Sequence, residues 1–214
     1  IAIVGMGCRF PRAENIEAAI TCFQAALQVR TRTAFPEEWA TTQNNLGIGY
    51  YKRLNGDTLR VGAAYRAENL EQAIICYQNA LQIRTQADFP EKWAETQNNL
   101  ANAYAERIKG DRAENIEAAI TAFQAALQIY TRSSFAQDWA MIQNNLGETY
   151  RERINGNPTE NLLTAISAYE AALQVYTRSG FPEQWAIVQN NLVIAYYSLL
   201  DENRADNFEL AICC

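Results

Sequence analysis

Four Gln-Asn-Asn-Leu tetrads, at 43–46, 97–100, 143–146 and 189–192, carry the clearest chemical capacity in this 214-residue chain. An asparagine amide donates and accepts at once, so a row of amides can clamp a peptide backbone without reading its side chains. The second of each pair, Asn45, Asn99, Asn145 and Asn191, is expected to face such a ligand. The first, Asn44, Asn98, Asn144 and Asn190, faces either the ligand or a neighbouring helix. Selectivity would come from positions that differ between copies: Thr41, Glu95, Met141 and Ile187 in one row, and Ile48, Asn102, Glu148 and Ile194 in the next. Lys52 and Arg151 are outnumbered there by Glu95, Glu106, Glu148 and Glu152, which favours a polar or mildly basic segment.

Other chemistries lose their central residues. The chain has no histidine, which removes the commonest general base and the commonest metal ligand. No catalytic residue, cofactor or metal site is expected. The five cysteines, at 8, 22, 76, 213 and 214, lack zinc-type spacing. Cys22 and Cys76 share a repeat position with Ala122 and Ala168, so they read as small packing residues. A net charge of −6 without a basic run disfavours nucleic acid. No apolar run approaches the roughly 18 residues of a membrane helix, and no signal peptide is visible. A cytoplasmic protein with a protein or peptide partner is the expectation.

The elements that must position the amides follow from the spacing. The leucine of each tetrad stands seven residues after a tryptophan (Trp39, Trp93, Trp139, Trp185) and four before a tyrosine (Tyr50, Tyr104, Tyr150, Tyr196). Those offsets are helical. The tryptophans recur 54, 46 and 46 residues apart, which gives a 46-residue repeat with one copy lengthened by eight, and such a period means a solenoid. A first-type helix begins at Ala13, where Ile16, Ala19, Ile20, Phe23, Ala26 and Leu27 form one apolar face. It is expected to run to about Arg32, with Arg30 and Arg32 favourably placed at its carboxyl end. A second-type helix starts at Pro36 and ends before Gly56.

Helix pairs are therefore expected over 13–54, 67–108, 113–154 and 159–200, with a truncated ninth helix over 205–214. Short turns make neighbours antiparallel. Gly56, Gly110 and Gly156 mark equivalent turns, where the last copy has Glu202. Asp111-x-x-Glu114 and Asn157-x-x-Glu160 read as capping boxes. The insertion Thr58–Tyr65 reads as an extra helical turn before Glu68, or alternatively as a contact loop. Arg53, Arg107 and Arg153 recur too regularly to select anything and should bond turns or pair with glutamates on the next helix. An array end without a polar cap exposes its core stripe, so self-association through the truncated helix, with Phe208 and Ile212, is a further expectation.

Leu46-Gly47-x-x-Tyr50 and Ala19-x-x-x-Phe23-x-x-Ala26 resemble the tetratricopeptide repeat. The resemblance implies an all-α, right-handed α–α superhelix over 13–214, about nine helices in all, whose second-type helices line a concave peptide groove. Small residues (Gly47, Ala101 and Gly147, with Ala19, Ala73, Ala119 and Ala165) would let helices approach closely while large ones (Phe23, Tyr77, Phe123 and Tyr169) fill the gaps, a rule that Val193 breaks in the last copy. The tetrads, with Phe-Pro-Glu-x-Trp-Ala, resemble long arrays of the kinesin light chain type and cyanobacterial arrays joined to caspase-like CHAT proteases. Without lysine or arginine at the amide row, the carboxylate-clamp variety is excluded. Residues 1–12 form a non-repeat segment without an initiating methionine, which reads as a fragment of something longer. Ile1–Pro11 resembles the opening of a polyketide synthase ketosynthase domain, which makes a non-catalytic fragment of such a protein the alternative reading.

Overall fold

The computed structural model describes residues 13–53 and 62–212, with side chains for 15–53 and 62–202. The ketosynthase-like opening with Cys8, the turn at Gly56, the first half of the insertion, and Cys213 and Cys214 lie outside the described residues. Eight helices follow in order, and no strand occurs among the described residues. The chain divides into two compact units at Lys109–Gly110.

The first unit holds α1 (Ala13–Leu27), α2 (Pro36–Lys52), α3 (Ala63–Leu81) and α4 (Pro90–Ala105). The second holds α5 (Arg112–Ala126), α6 (Ala136–Arg151), α7 (Pro158–Leu173) and α8 (Pro182–Ile212). In each unit every helix packs on its sequence neighbour, and the two second-type helices also touch, α2 on α4 and α6 on α8. The pairs are antiparallel: Arg53 at the end of α2 meets Glu17 near the start of α1, while Gln24 further along α1 bonds Tyr50.

First-type helices stop about five residues short of the expected ends, so Arg30 and Arg32 lie beyond α1. The cause is a recurring threonine, because a hydroxyl bonding its own backbone offers an alternative to the helix. Thr31, Thr85, Thr131 and Thr177 accept from the amide three residues on, at 3.1–3.3 Å. Each carbonyl also accepts from the phenylalanine N–H that precedes the next helix. Side-chain capping occurs at Asp111 and Asn157, which accept from Glu114 N at 2.9 Å and Glu160 N at 3.0 Å.

The last expected helix does not form separately. Residues 205–212 continue α8, which is one 31-residue helix. Gly110 and Gly156 end their segments at φ 81° and 84°, a conformation that costs an L-residue roughly 1–2 kcal/mol. Glu202 stands in that place, so the chain keeps its helical path and the described residues hold eight helices, not nine. At the insertion, Ala63–Arg66 add one turn to the start of α3.

The core follows the large-to-small rule. A Cβ on Gly47 would lie 2.6 Å from the Tyr77 ring, and one on Gly147 would lie 2.7 Å from Tyr169. Val193, at the equivalent point of α8, is exposed. Cys76 packs with Ile20 and Leu46. Burial pushes its thiol up to about 12, so it stays a neutral packing group. Cys22 is exposed, contrary to its expected packing role.

Candidate functional site

The tetrads sit where the second-type helices of one unit meet. Asn44 is fully buried, and Asn98 and Asn144 nearly so, at 8% and 9% exposure. The Oδ1 of Asn44 accepts from Asn99 Nδ2 and from Thr96 Oγ1, both at 3.3 Å, which joins α2 to α4. In the second unit the Oδ1 of Asn144 accepts from Asn191 Nδ2 at 3.0 Å, which joins α6 to α8. Asn191 also donates to Glu148 at 2.6 Å. Asn44 and Asn144 thus turn to a neighbouring helix, one of the two roles expected for the first asparagine, whereas the Oδ1 of Asn98 is buried without a hydrogen-bond partner among the described residues. Only Asn190 is exposed, on the uncovered side of α8.

The second asparagines are half-buried. An amide has more than two hydrogen-bonding sites, so the bond that Asn99 gives to Asn44 leaves its carbonyl side for other use. Asn45 and Asn145 accept weakly from their own pair partners, at 3.5 and 3.4 Å.

The other expected site residues are drawn into the scaffold to different degrees. Glu95 takes a 3.3 Å contact from Arg84, a 3%-exposed guanidinium that also bonds Thr96 on α4 and Thr41 on α2. Asn102 donates to its own helix at Asn98 O. Glu148 belongs to the amide network. Arg151 lies beside Tyr169 of α7. Glu106 is held by Tyr51 and Arg66, and Glu152 by Arg112. What remains open differs between units. Ile48 of the first is half-buried, whereas Met141, Ile187 and Ile194 of the second are exposed.

Residues 84–211, more than half of the chain, match the family described as SNAP, soluble NSF attachment protein. The chain belongs to the soluble NSF attachment protein family. Among curated proteins nothing matches. Of solved structures, the crystal structure of MamA is similar at 16% identity and a TM-score of 0.49, covering 94% of this chain and 99% of that one.

The SNAP-family chain also carries three recurring contacts between the helices of a pair. Arg53, Arg107 and Arg153 pair with Glu17, Glu71 and Glu117, which lie on the preceding helix and not the next one. Arg107 reaches Glu71 through both Nε and Nη2 at 2.8 Å. In the last copy Leu163 and Leu199 stand at the same two positions, so an apolar pair replaces the ionic one. Gln24, Gln78 and Gln124 donate to Tyr50, Tyr104 and Tyr150, and Tyr196 bonds Glu170 instead. Asn161 is nearly buried and donates to Asn155 O at 2.9 Å, tying down the turn before α7. The matching asparagines at 15, 69 and 115 were a signal available at the same 46- and 54-residue spacings.

The arginine hydrogen bonds hold the carboxyls of Glu71 and Glu117 below their ordinary value. A depressed carboxylate adds stability above the unfolded value of 4.5, and that contribution is lost as pH falls through the folded value. A double-mutant cycle of Arg107→Leu with Glu71→Leu should give a coupling of about 1 kcal/mol at neutral pH that fades in acid. A coupling that does not change between neutral and acid pH would remove the ionic account.

No group of metal-binding side chains occurs among the described residues. No described helix is long and apolar enough to cross a membrane.

Proposed function

We propose that this chain is a non-catalytic protein-interaction module that holds a partner's peptide segment against its second-type helices. The observation that carries this reading is in the second unit. Met141 on α6, and Ile187 and Ile194 on α8, stay exposed at helical spacing from Asn145 and Asn191. Apolar anchors beside amides suit an extended or helical segment, the anchors supplying burial and the amides bonding its backbone. Asn45 and Asn99 with Glu95 and Asn102 offer a more polar counterpart in the first unit. The family's name, that of an attachment protein, supports a protein as the partner. The resemblance to long tetratricopeptide arrays supports a peptide within it.

Selection of a displayed random-peptide library on the chain tests this. Peptides so obtained should lose at least about tenfold in affinity with Ile187→Lys plus Ile194→Lys, a change of roughly 1.4 kcal/mol. Asn145→Ala plus Asn191→Ala should weaken them too, whereas Leu163→Lys, an exposed apolar site on α7, should not. Equal losses at all three would show that the binding does not use this face.

A further inference from the structure

The two units differ at one place on their second-type helices, and the difference leaves a cation of the second unit without a carboxylate. In the first unit Tyr51 of α2 packs on the cluster of Ala73, Ile74 and Tyr77 and donates its hydroxyl proton to Glu106, just past α4. Arg66 bonds the same carboxylate at 2.9 Å. The first unit thus supplies its own acceptor.

At the corresponding positions of the second unit stand Arg151, Tyr169 and Ser198, with Pro158 in place of Arg66. Ser198 does not substitute for Glu106, because it is neutral and short and gives its proton to Ile194 O at 3.1 Å. Tyr169 is fully buried, and Arg151 lies beside its hydroxyl. A guanidinium only donates, so that contact offers the phenolic proton no acceptor. The Tyr169 hydroxyl and Arg151 Nε are both buried, and neither donates to an acceptor among the described residues. Two carboxylates act on the hydroxyl from nearby, Glu148 and Glu152. Glu148 already accepts from Asn191 and Asn144, and Glu152 is held by Arg112; neither pairs with Arg151 among the described residues. Buried donors left unmet are costly, so two of them side by side mark a place for an acceptor from outside.

We infer that Arg151 and Tyr169 receive a carboxylate of the bound partner, the side chain of an aspartate or glutamate in its segment. The inference rests on the peptide-binding reading for its occupant. Arg151 stands about one turn beyond Glu148 on α6, and Ser198 about one turn beyond Ile194 on α8, which puts the acidic residue next to the apolar ones that meet the exposed anchors. The second unit therefore selects the opposite charge from the mildly basic preference expected of the amide row as a whole.

Selection of a displayed random-peptide library tests the charge. Peptides obtained on the chain should carry an acidic residue beside their apolar ones. Arg151→Glu should lower their affinity about tenfold or more, with helical circular dichroism unchanged, and Arg151→Gln gives the same comparison if the reversal does not fold. A fresh selection on Arg151→Glu should return lysine or arginine at that point, an exchange that a purely structural arginine would not produce. Tyr169→Phe should weaken an acidic peptide more than its amide counterpart. Peptides without an acidic residue, or equal affinity for acid and amide forms, would overturn the inference, the two donors then bonding water alone. If such peptides still depend on Ile187 and Ile194, the peptide-binding reading survives that loss. If no peptide is obtained, or none depends on those two residues, both fall.

Discussion

Replacing Tyr169 by alanine should lower the stability of the second unit by about 3–5 kcal/mol, the cost of truncating a fully buried aromatic. The ring lies within a cluster with Ala140, Ala165, Ile166, Ala172 and Val188, and its edge fills the space that Gly147 leaves open. Little can relax into the hole, because the facing position has no side chain and the neighbouring alanines are short. The reverse substitution, Gly147→Val, should also destabilise, since a Cβ alone would stand 2.7 Å from the ring. In the double variant Gly147→Val with Tyr169→Ala the losses should be less than additive, as the new side chain enters the cavity. Urea midpoints of the four proteins give the comparison, and strict additivity would show that ring and glycine are not partners. Burial also pushes the Tyr169 hydroxyl up to about 12. Its stabilising effect is whole below the unfolded tyrosine value near 10 and is lost as pH rises towards 12. Tyr169→Phe should accordingly flatten the alkaline part of the pH–stability curve.

The Gly147–Tyr169 contact was legible because one residue of each pair is invariant in size across the copies, and size is what a packing rule reads. Helix ends were less legible. Thr31, Thr85, Thr131 and Thr177 recur as plainly as the tetrads, but whether a hydroxyl bonds its own turn depends on competition between helix and turn that periodicity does not contain. Glu202 carries a further signal: without a glycine the left-handed turn is lost, and residues 205–212 continue α8. At the candidate site the Asn-Asn pairs announced hydrogen bonding without saying to what. Adjacent residues on a helix point about 100° apart. The two asparagines of a pair therefore point different ways, and the packing of α2 on α4 and α6 on α8 decides what each of them meets.

That division makes Asn44 the position where the largest polar effect is expected. Asn44→Ala should cost about 1–3 kcal/mol, the range for stranding buried hydrogen-bond partners. Its Oδ1 is the acceptor for both Asn99 and Thr96 at a fully buried position. Thr96 keeps a second acceptor in Lys92 O at 2.8 Å and a donor in Arg84, so the loss falls mainly on Asn99. Asn44→Asp keeps the accepting oxygen but places a carboxylate in the same buried volume, and should be at least as damaging at neutral pH. Asn190 provides the internal control: it has the same place in the same motif, but α8 leaves it exposed. Asn190→Ala should change stability by less than about 0.5 kcal/mol. Chemical denaturation of the three variants separates the two meanings of the motif. If Asn44 and Asn190 respond alike, the buried amide does not hold α2 to α4, and the whole row returns to being a candidate for ligand contact. If only Asn44 responds, binding is left to the half-buried Asn45, Asn99, Asn145 and Asn191, whose loss should lower affinity for a captured peptide more than it lowers stability.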